Sequence, residues 1–195
     1  MEPATSAEVF THVRIVMGMV VGLGITRLLM GVAGLVQHPK RAKLSTIHLL
    51  WALSVLIELV LFWWWEFELR ALPQWSFGVF FFLVAYSVAL FMLAALLFPD
   101  KVDEYEGYED FFLKRRHWFF GVFAATFALD VIDSLIKGEP YFDDLGVGYL
   151  IQVPIGIALA AIAIWSNDKR YHLGLVAVHL VYQAWWVSFL FDTRG

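Results

Sequence analysis

The stretch His48-Leu-Leu-Trp-Ala-Leu-Ser-Val-Leu-Ile-Glu-Leu-Val-Leu-Phe-Trp-Trp-Trp-Glu-Phe-Glu-Leu-Arg70 decides how the chain is read. Between Leu49 and Trp65 only Ser54 and Glu58 interrupt an apolar run. A helix needs about 20 such residues to cross about 30 Å of hydrocarbon. A carboxylate midway along it costs about 2.5–3.5 kcal/mol on insertion scales. Glu58 is therefore expected to face a partner or water, away from lipid.

The same pattern repeats outward in both directions. The chain has 195 residues, of which 61% are hydrophobic and 16% charged, and its mean hydropathy is +0.70. Soluble domains are roughly 45–50% apolar and about 25% charged. The charges gather in short clusters between long apolar runs, which is the pattern of transmembrane helices. Six spans are predicted, at about 13–36, 44–65, 75–98, 117–136, 146–166 and 171–191. They form one all-α, polytopic transmembrane bundle, a single domain over residues 1–195. Pro39, Pro73, Pro99 and Pro140 fall between spans, where a helix breaker belongs. Pro154 falls inside the fifth, with Gly156 beside it, and predicts a kink there.

Orientation follows from lysine and arginine, which accumulate on the cytoplasmic side. Lys40, Arg41, Lys43, Lys101, Lys114, Arg115, Arg116, Lys169 and Arg170 lie on one side, and Arg14, Arg70, Lys137 and Arg194 on the other. Nine against four places both termini outward. The loop at 99–116 reads as a cytoplasmic linker, acidic first and basic at its end. Its six carboxylates do not have the spacing of an EF-hand.

Several function classes drop out. The chain lacks cysteine, so it has no disulfide, thiolate metal site or cysteine nucleophile. A net charge of −4 argues against nucleic acid as a partner. No P-loop, dinucleotide fingerprint, nucleophile elbow or HExxH sequence is present, so nothing in the chain selects an enzyme.

The polar residues within the spans carry the functional information: Arg27, Glu58, Asp130, Asp133, His179 and Gln183. Counted from the basic ends of their helices, Arg27, Glu58, Asp130 and His179 lie within about 7 Å of one another in depth at 1.5 Å per residue. Helical periodicity places Trp51, Glu58 and Trp65 on the His48 face of the second span. It also places Thr126, Asp130, Asp133 and Ser134 together on the fourth, and His172, His179, Gln183 and Trp186 together on the sixth. Glycines of the first span form a neighbouring face to Arg27 that lets another helix approach.

Two readings stand for this cluster. In one, Glu58 and Asp130 exchange protons or bind a cation, Arg27 tunes them and His179 relays, so that the chain is a small-ion transporter or channel, for which an oligomer is expected. In the other, Arg27 pairs with Glu58 or Asp130 and only fixes helix register, in a membrane sensor or interaction subunit. The histidines add a further alternative: His48, His172 and His179 are weak candidates for a metal or haem iron. His172 and His179 are about 10 Å apart along one helix and would each need a histidine from elsewhere. No cofactor is the simpler expectation.

The segments Gly22-Leu-Gly-Ile-Thr-Arg-Leu-Leu-Met-Gly31, His48-Leu-Leu-Trp51, Trp64-Trp65-Glu-Phe and Arg115-Arg-His-Trp-Phe-Phe-Gly121 resemble a group of small bacterial integral membrane proteins. The resemblance covers most of the first four spans. It implies a bacterial inner membrane as the setting, and it brings no activity or site residue with it.

Overall fold

The structure, a computed structural model, describes residues 5–38 and 43–194, with the side chains of 189–194 outside the description. Lys40 and Arg41 of the first loop, and the Arg194 side chain, lie outside it. Among the described residues the chain forms seven α-helices: α1 (Ser6–Gln37), α2 (Thr46–Trp65), α3 (Phe77–Leu97), α4 (Tyr108–Ile136), α5 (Glu139–Asp144), α6 (Gly146–Trp165) and α7 (Lys169–Arg194). A 3-10 turn over Glu66–Ala71 extends α2.

Helix starts are set by side chains that satisfy the free N–H groups of the first turn. Thr5 and Glu8 form a capping box at α1, with the Glu8 carboxylate accepting from the Thr5 N–H at 2.8 Å. Ser45 and Ser76 cap α2 and α3. The capping box starts α1 well before residue 13, where hydropathy alone places the edge. The fourth helix also begins early, at Tyr108 and not 117. Gly107 there has φ 138° and packs on Lys43, whose carbonyl accepts from the Tyr108 N–H at 3.1 Å. Phe111 and Phe112 are buried, so the acidic-to-basic segment is folded onto the bundle instead of serving as a free linker.

Five helices, α1, α2, α3, α4 and α6, are long and apolar enough to cross a membrane. At 26 residues α7 is long enough, but its described part is diluted by Lys169, Arg170, His172, His179 and Gln183. The chain is thus an all-helical bundle with the character of a multi-pass membrane protein. Its outer surface agrees: Val36, Phe77 and Trp165 are each more than three-quarters exposed, which in water would be a large aggregation-prone surface.

Helix α2 is central and touches α1, α3, α4 and α7. Helix α1 packs chiefly on α3, α3 also on α4, and α4 on α6, whereas α6 and α7 touch sparingly. Loops define two ends. At the first, Ser6 Oγ donates to the Leu72 carbonyl at 3.0 Å, which puts the start of α1 beside the α2–α3 connection. At the second, Lys43 meets Gly107 and Lys169 pairs with Glu109. Trp51 lies between them with no exposure, its indole edge-on to Phe119, Phe120 and Phe123 at 5.1–5.4 Å between centroids. Edge-to-face contacts of this kind add about 0.5–1.5 kcal/mol each beyond the area they bury.

The glycines of α1 divide. Gly18 faces the Trp63 ring, Gly24 faces Leu59, and Gly31 faces the Phe98 ring, while Gly22 and Gly34 have open space beside them. The fifth span runs through Pro154 as one helix. Its neighbour Gly156 admits a ring of α4: a Cβ there would lie 2.5 Å from Phe127 Cε1 and Cζ. Gly156→Ala is therefore expected to cost about 1–3 kcal/mol through overpacking. In detergent its thermal unfolding midpoint should fall by several degrees, while Gly22→Ala, in open space, leaves the midpoint in place.

Candidate functional site

The polar stripes of α2, α4 and α7 converge on a cavity of about 370 Å³, with α3, α5 and α6 completing its wall. Five of the six polar residues singled out in the spans line it: Glu58, Asp130, Asp133, His179 and Gln183. The sixth does not. Arg27 Nη2 lies 2.6 Å from Asp100 Oδ1 and 2.6 Å from the Phe98 carbonyl, at the second end of the bundle. Its side chain reaches past the end of α3, as long basic side chains do near helix ends. The expected pairing of Arg27 with Glu58 or Asp130 is thereby corrected: its guanidinium reaches the end of the bundle and stays out of the cavity.

The cation among these acids is Lys137. It follows the last residue of α4, and the sequence count assigns it to a loop. Its Nζ lies 2.5 Å from Asp133 Oδ2, one helical turn back, and 2.9 Å from Glu66 Oε1 on the turn after α2. All three side chains are at most 3% exposed. A buried ammonium gripped by two carboxylates ties the end of α4 to the end of α2, a link 71 positions long in sequence. Tyr141, on α5, lies with its ring 5.2 Å from Lys137 Nζ. Burial raises its phenol to about 12, against the opposing pull of the Lys137 charge, so the hydroxyl stays a donor.

Deeper in, the acids are held by neutral donors. Tyr149 donates to Asp130 Oδ2 at 2.8 Å, with Ser134 Oγ 3.3 Å from the same phenol. Gln183 Nε2 donates to Glu58 Oε2 at 2.9 Å and to the Ser54 carbonyl at 3.1 Å. The Ser54 carbonyl only accepts, so it fixes which way the amide faces. Across the cavity Trp186 Nε1 donates to the Tyr182 hydroxyl, which donates to Gln152 of α6. The wall is otherwise aromatic, with Phe62, Trp65, Tyr86, Phe123 and Phe127 among its members. Towards the second end it closes on His179, which packs against Phe123 and Trp51 at 5.2 and 5.8 Å.

In total, Glu58, Glu66, Asp130 and Asp133 face one ammonium. With these four ionised, and leaving aside the exposed Asp144 that also lines the cavity, three surplus negative charges would stand in surroundings where an uncompensated charge is costly. The arrangement favours uptake of protons or of a cation.

The histidines occupy separate aromatic settings. His48 Nε2 lies 2.6 Å from the Leu97 carbonyl, with its ring stacked on Tyr108. His172 Nε2 lies 2.9 Å from the Ser166 carbonyl, with its ring stacked on Phe120. Among the described residues no three His, Asp or Glu side chains are grouped so as to hold a metal ion. His48 ties the start of α2 to the end of the following helix, α3, and His172 ties the start of α7 to the end of the preceding one, α6. Comparison with protein-family models, with curated proteins and with solved structures finds no match to this chain.

Asp133 and Lys137, four apart, are a pairing that helical spacing makes readable. Glu66, Tyr149, Tyr182 and Gln152 are not, because what brings them in is the packing of helices distant in sequence. Lys137→Met leaves two buried carboxylates without a counter-ion and is expected to cost about 3–5 kcal/mol. Thermal unfolding followed by tryptophan fluorescence measures the loss. Adding Glu66→Gln should return much of it, whereas Lys114→Met, at an exposed pair, should leave stability nearly unchanged.

Proposed function

We propose that this chain is a six-span protein of the bacterial inner membrane that binds a small cation, the proton included, in the carboxylate cavity and moves it across the bilayer. The observation that carries this reading is the convergence of Glu58, Asp130, Asp133 and Glu66 on one cavity whose single cation is Lys137. Helix α7 serves as the sixth span, since 26 residues reach about 39 Å at 1.5 Å per residue. Lys43, Lys101, Lys114, Arg115, Arg116, Lys169 and Arg170 belong to the end of the bundle away from Glu66 and Lys137. By the excess of Lys and Arg that end is cytoplasmic, both termini face outward, and the cavity belongs to the outer half. The bacterial setting rests on the resemblance of the first four spans.

In this model Glu58 and Asp130 take up the cation. Trp51, Phe119, Phe120 and Phe123 form the closed barrier on the cytoplasmic side. The same barrier favours a second reading, in which the cavity is a one-sided receptor pocket in a membrane sensor and nothing passes.

Reconstitution decides between the two. Liposomes containing the wild type and driven by a pH or potassium gradient are expected to show flux above empty vesicles, and Glu58→Gln to lose most of it. Flux equal to that of empty vesicles in the wild type would sink the transport reading. Binding of a cation without flux would then leave the receptor.

A further inference from the structure

We propose that the cation this cavity accepts is a small organic ammonium bearing N–H donors, seated between Glu58, Asp130 and the Gln183 side-chain carbonyl against an aromatic wall. The inference rests on the reading of the cavity as a cation site and names the class of cation.

The space comes first. About 370 Å³ lies in the range of pockets that enclose small organic ligands, roughly 300–1,000 Å³. It far exceeds what a proton or a dehydrated metal ion fills. No group of three His, Asp or Glu among the described residues offers a metal its ligands.

The acceptors come second. Gln183 is 2% exposed, its Nε2 is committed to Glu58 and to the Ser54 carbonyl, and its Oε1 has no partner. A buried acceptor left unpaired costs about 1–3 kcal/mol. The Ser54 carbonyl prevents the amide from turning over to relieve it. The oxygen is closed off in this conformation, and any partner that a small shift of the amide brings to it must be a donor. Glu58 and Asp130 line the same cavity and add negative charge, so the donor that fits is positively charged, and one N–H for each acceptor describes a protonated amine.

The walls come third. Trp65, Tyr86, Phe123, Phe127 and Trp186 face the cavity. Aromatic faces attract ammonium groups within about 6 Å and pack on the carbon skeleton attached to them. Lys137 is not available to fill the role of the bound cation, because Glu66 and Asp133 already hold it.

The test uses the full chain purified in detergent, with calorimetry and the fluorescence of the cavity tryptophans as readouts. The probes are phenethylamine and n-butylamine, with 2-phenylethanol as the neutral control, phenethyltrimethylammonium as a cation without N–H, and sodium chloride as the bare ion. At least one primary amine is expected to bind saturably and at least about tenfold more tightly than any control, as a hydrogen bond to a charged group requires. Glu58→Gln should weaken it about tenfold or more, and Gln183→Leu several-fold. If a variant fails to fold, the comparison of probes on the wild type still decides the matter. Equal binding of 2-phenylethanol or of the trimethyl cation overturns the inference, and so does the failure of both amines to bind. Proton flux in liposomes with no amine binding overturns it while the proposed function stands. Amine binding with no flux of proton, potassium or the amine itself upholds it and removes transport.

Discussion

Carboxylates in a largely apolar bundle must be compensated from within, because lipid offers them nothing. This chain meets that constraint by turning the polar stripes of α2, α4 and α7 towards one another, and the rest of the architecture follows. Glu66, Lys137 and Asp133 lock the C-terminal ends of α2 and α4 together, while Gln183 joins α7 to α2 through Glu58 and Ser54. With those three helices fixed, α3 packs on both α2 and α4 and brings Tyr86 to the cavity, and α1 packs on α3 and α2. Helix α6 is held on α4 through the Gly156–Phe127 approach and through Tyr149 to Asp130. The cavity is what remains where the stripes meet and the side chains do not fill the space.

The histidine settings extend the same logic to the opposite end. His48 bridges the start of α2 to the end of α3, and His172 the start of α7 to the end of α6, each through a ring nitrogen on a backbone carbonyl. Carbonyls at the C-terminal end of a helix lack intrahelical partners, so an imidazole N–H is a suitable one. The residue type that suggests metal chemistry in the sequence serves here as a clasp between helix ends.

Much of this was legible from residue spacing. Glu58, Asp130, Asp133, His179 and Gln183 could be assigned to inward faces because a lipid-facing charge is costly and a helix repeats every 3.6 residues. Arg27 shows where that reasoning stops. Its Cα depth resembles that of Glu58, but a guanidinium stands several ångströms from its Cα, and the side chain takes the nearer acid, Asp100. Lys137 is the reverse case, a residue past the end of a hydrophobic run that turns back into the bundle because Asp133 lies one helical turn behind it. Hydropathy also cannot see Thr5 with Glu8, or Gly107 against Lys43, and these local contacts, not apolar content, decide where α1 and α4 begin. Helix α7 escapes the simple apolar measure because it contributes an inward stripe of polar groups.

The sparing contact between α6 and α7 makes the bundle unequal in stiffness. The α4–α6, α3–α4 and α2–α7 contacts around the cavity are packed interfaces whose separation would strip many side chains of their neighbours. Near the aromatic barrier, α6 and α7 are tied where Tyr171 donates to the Leu159 carbonyl. Around the cavity they are spanned by the relay from Trp186 through Tyr182 to Gln152. Polar contacts of this kind can exchange for others at far smaller cost than a packed seam can be pulled apart. The bundle is therefore compliant along this line, and a shape change that admits or releases an occupant has a soft direction there.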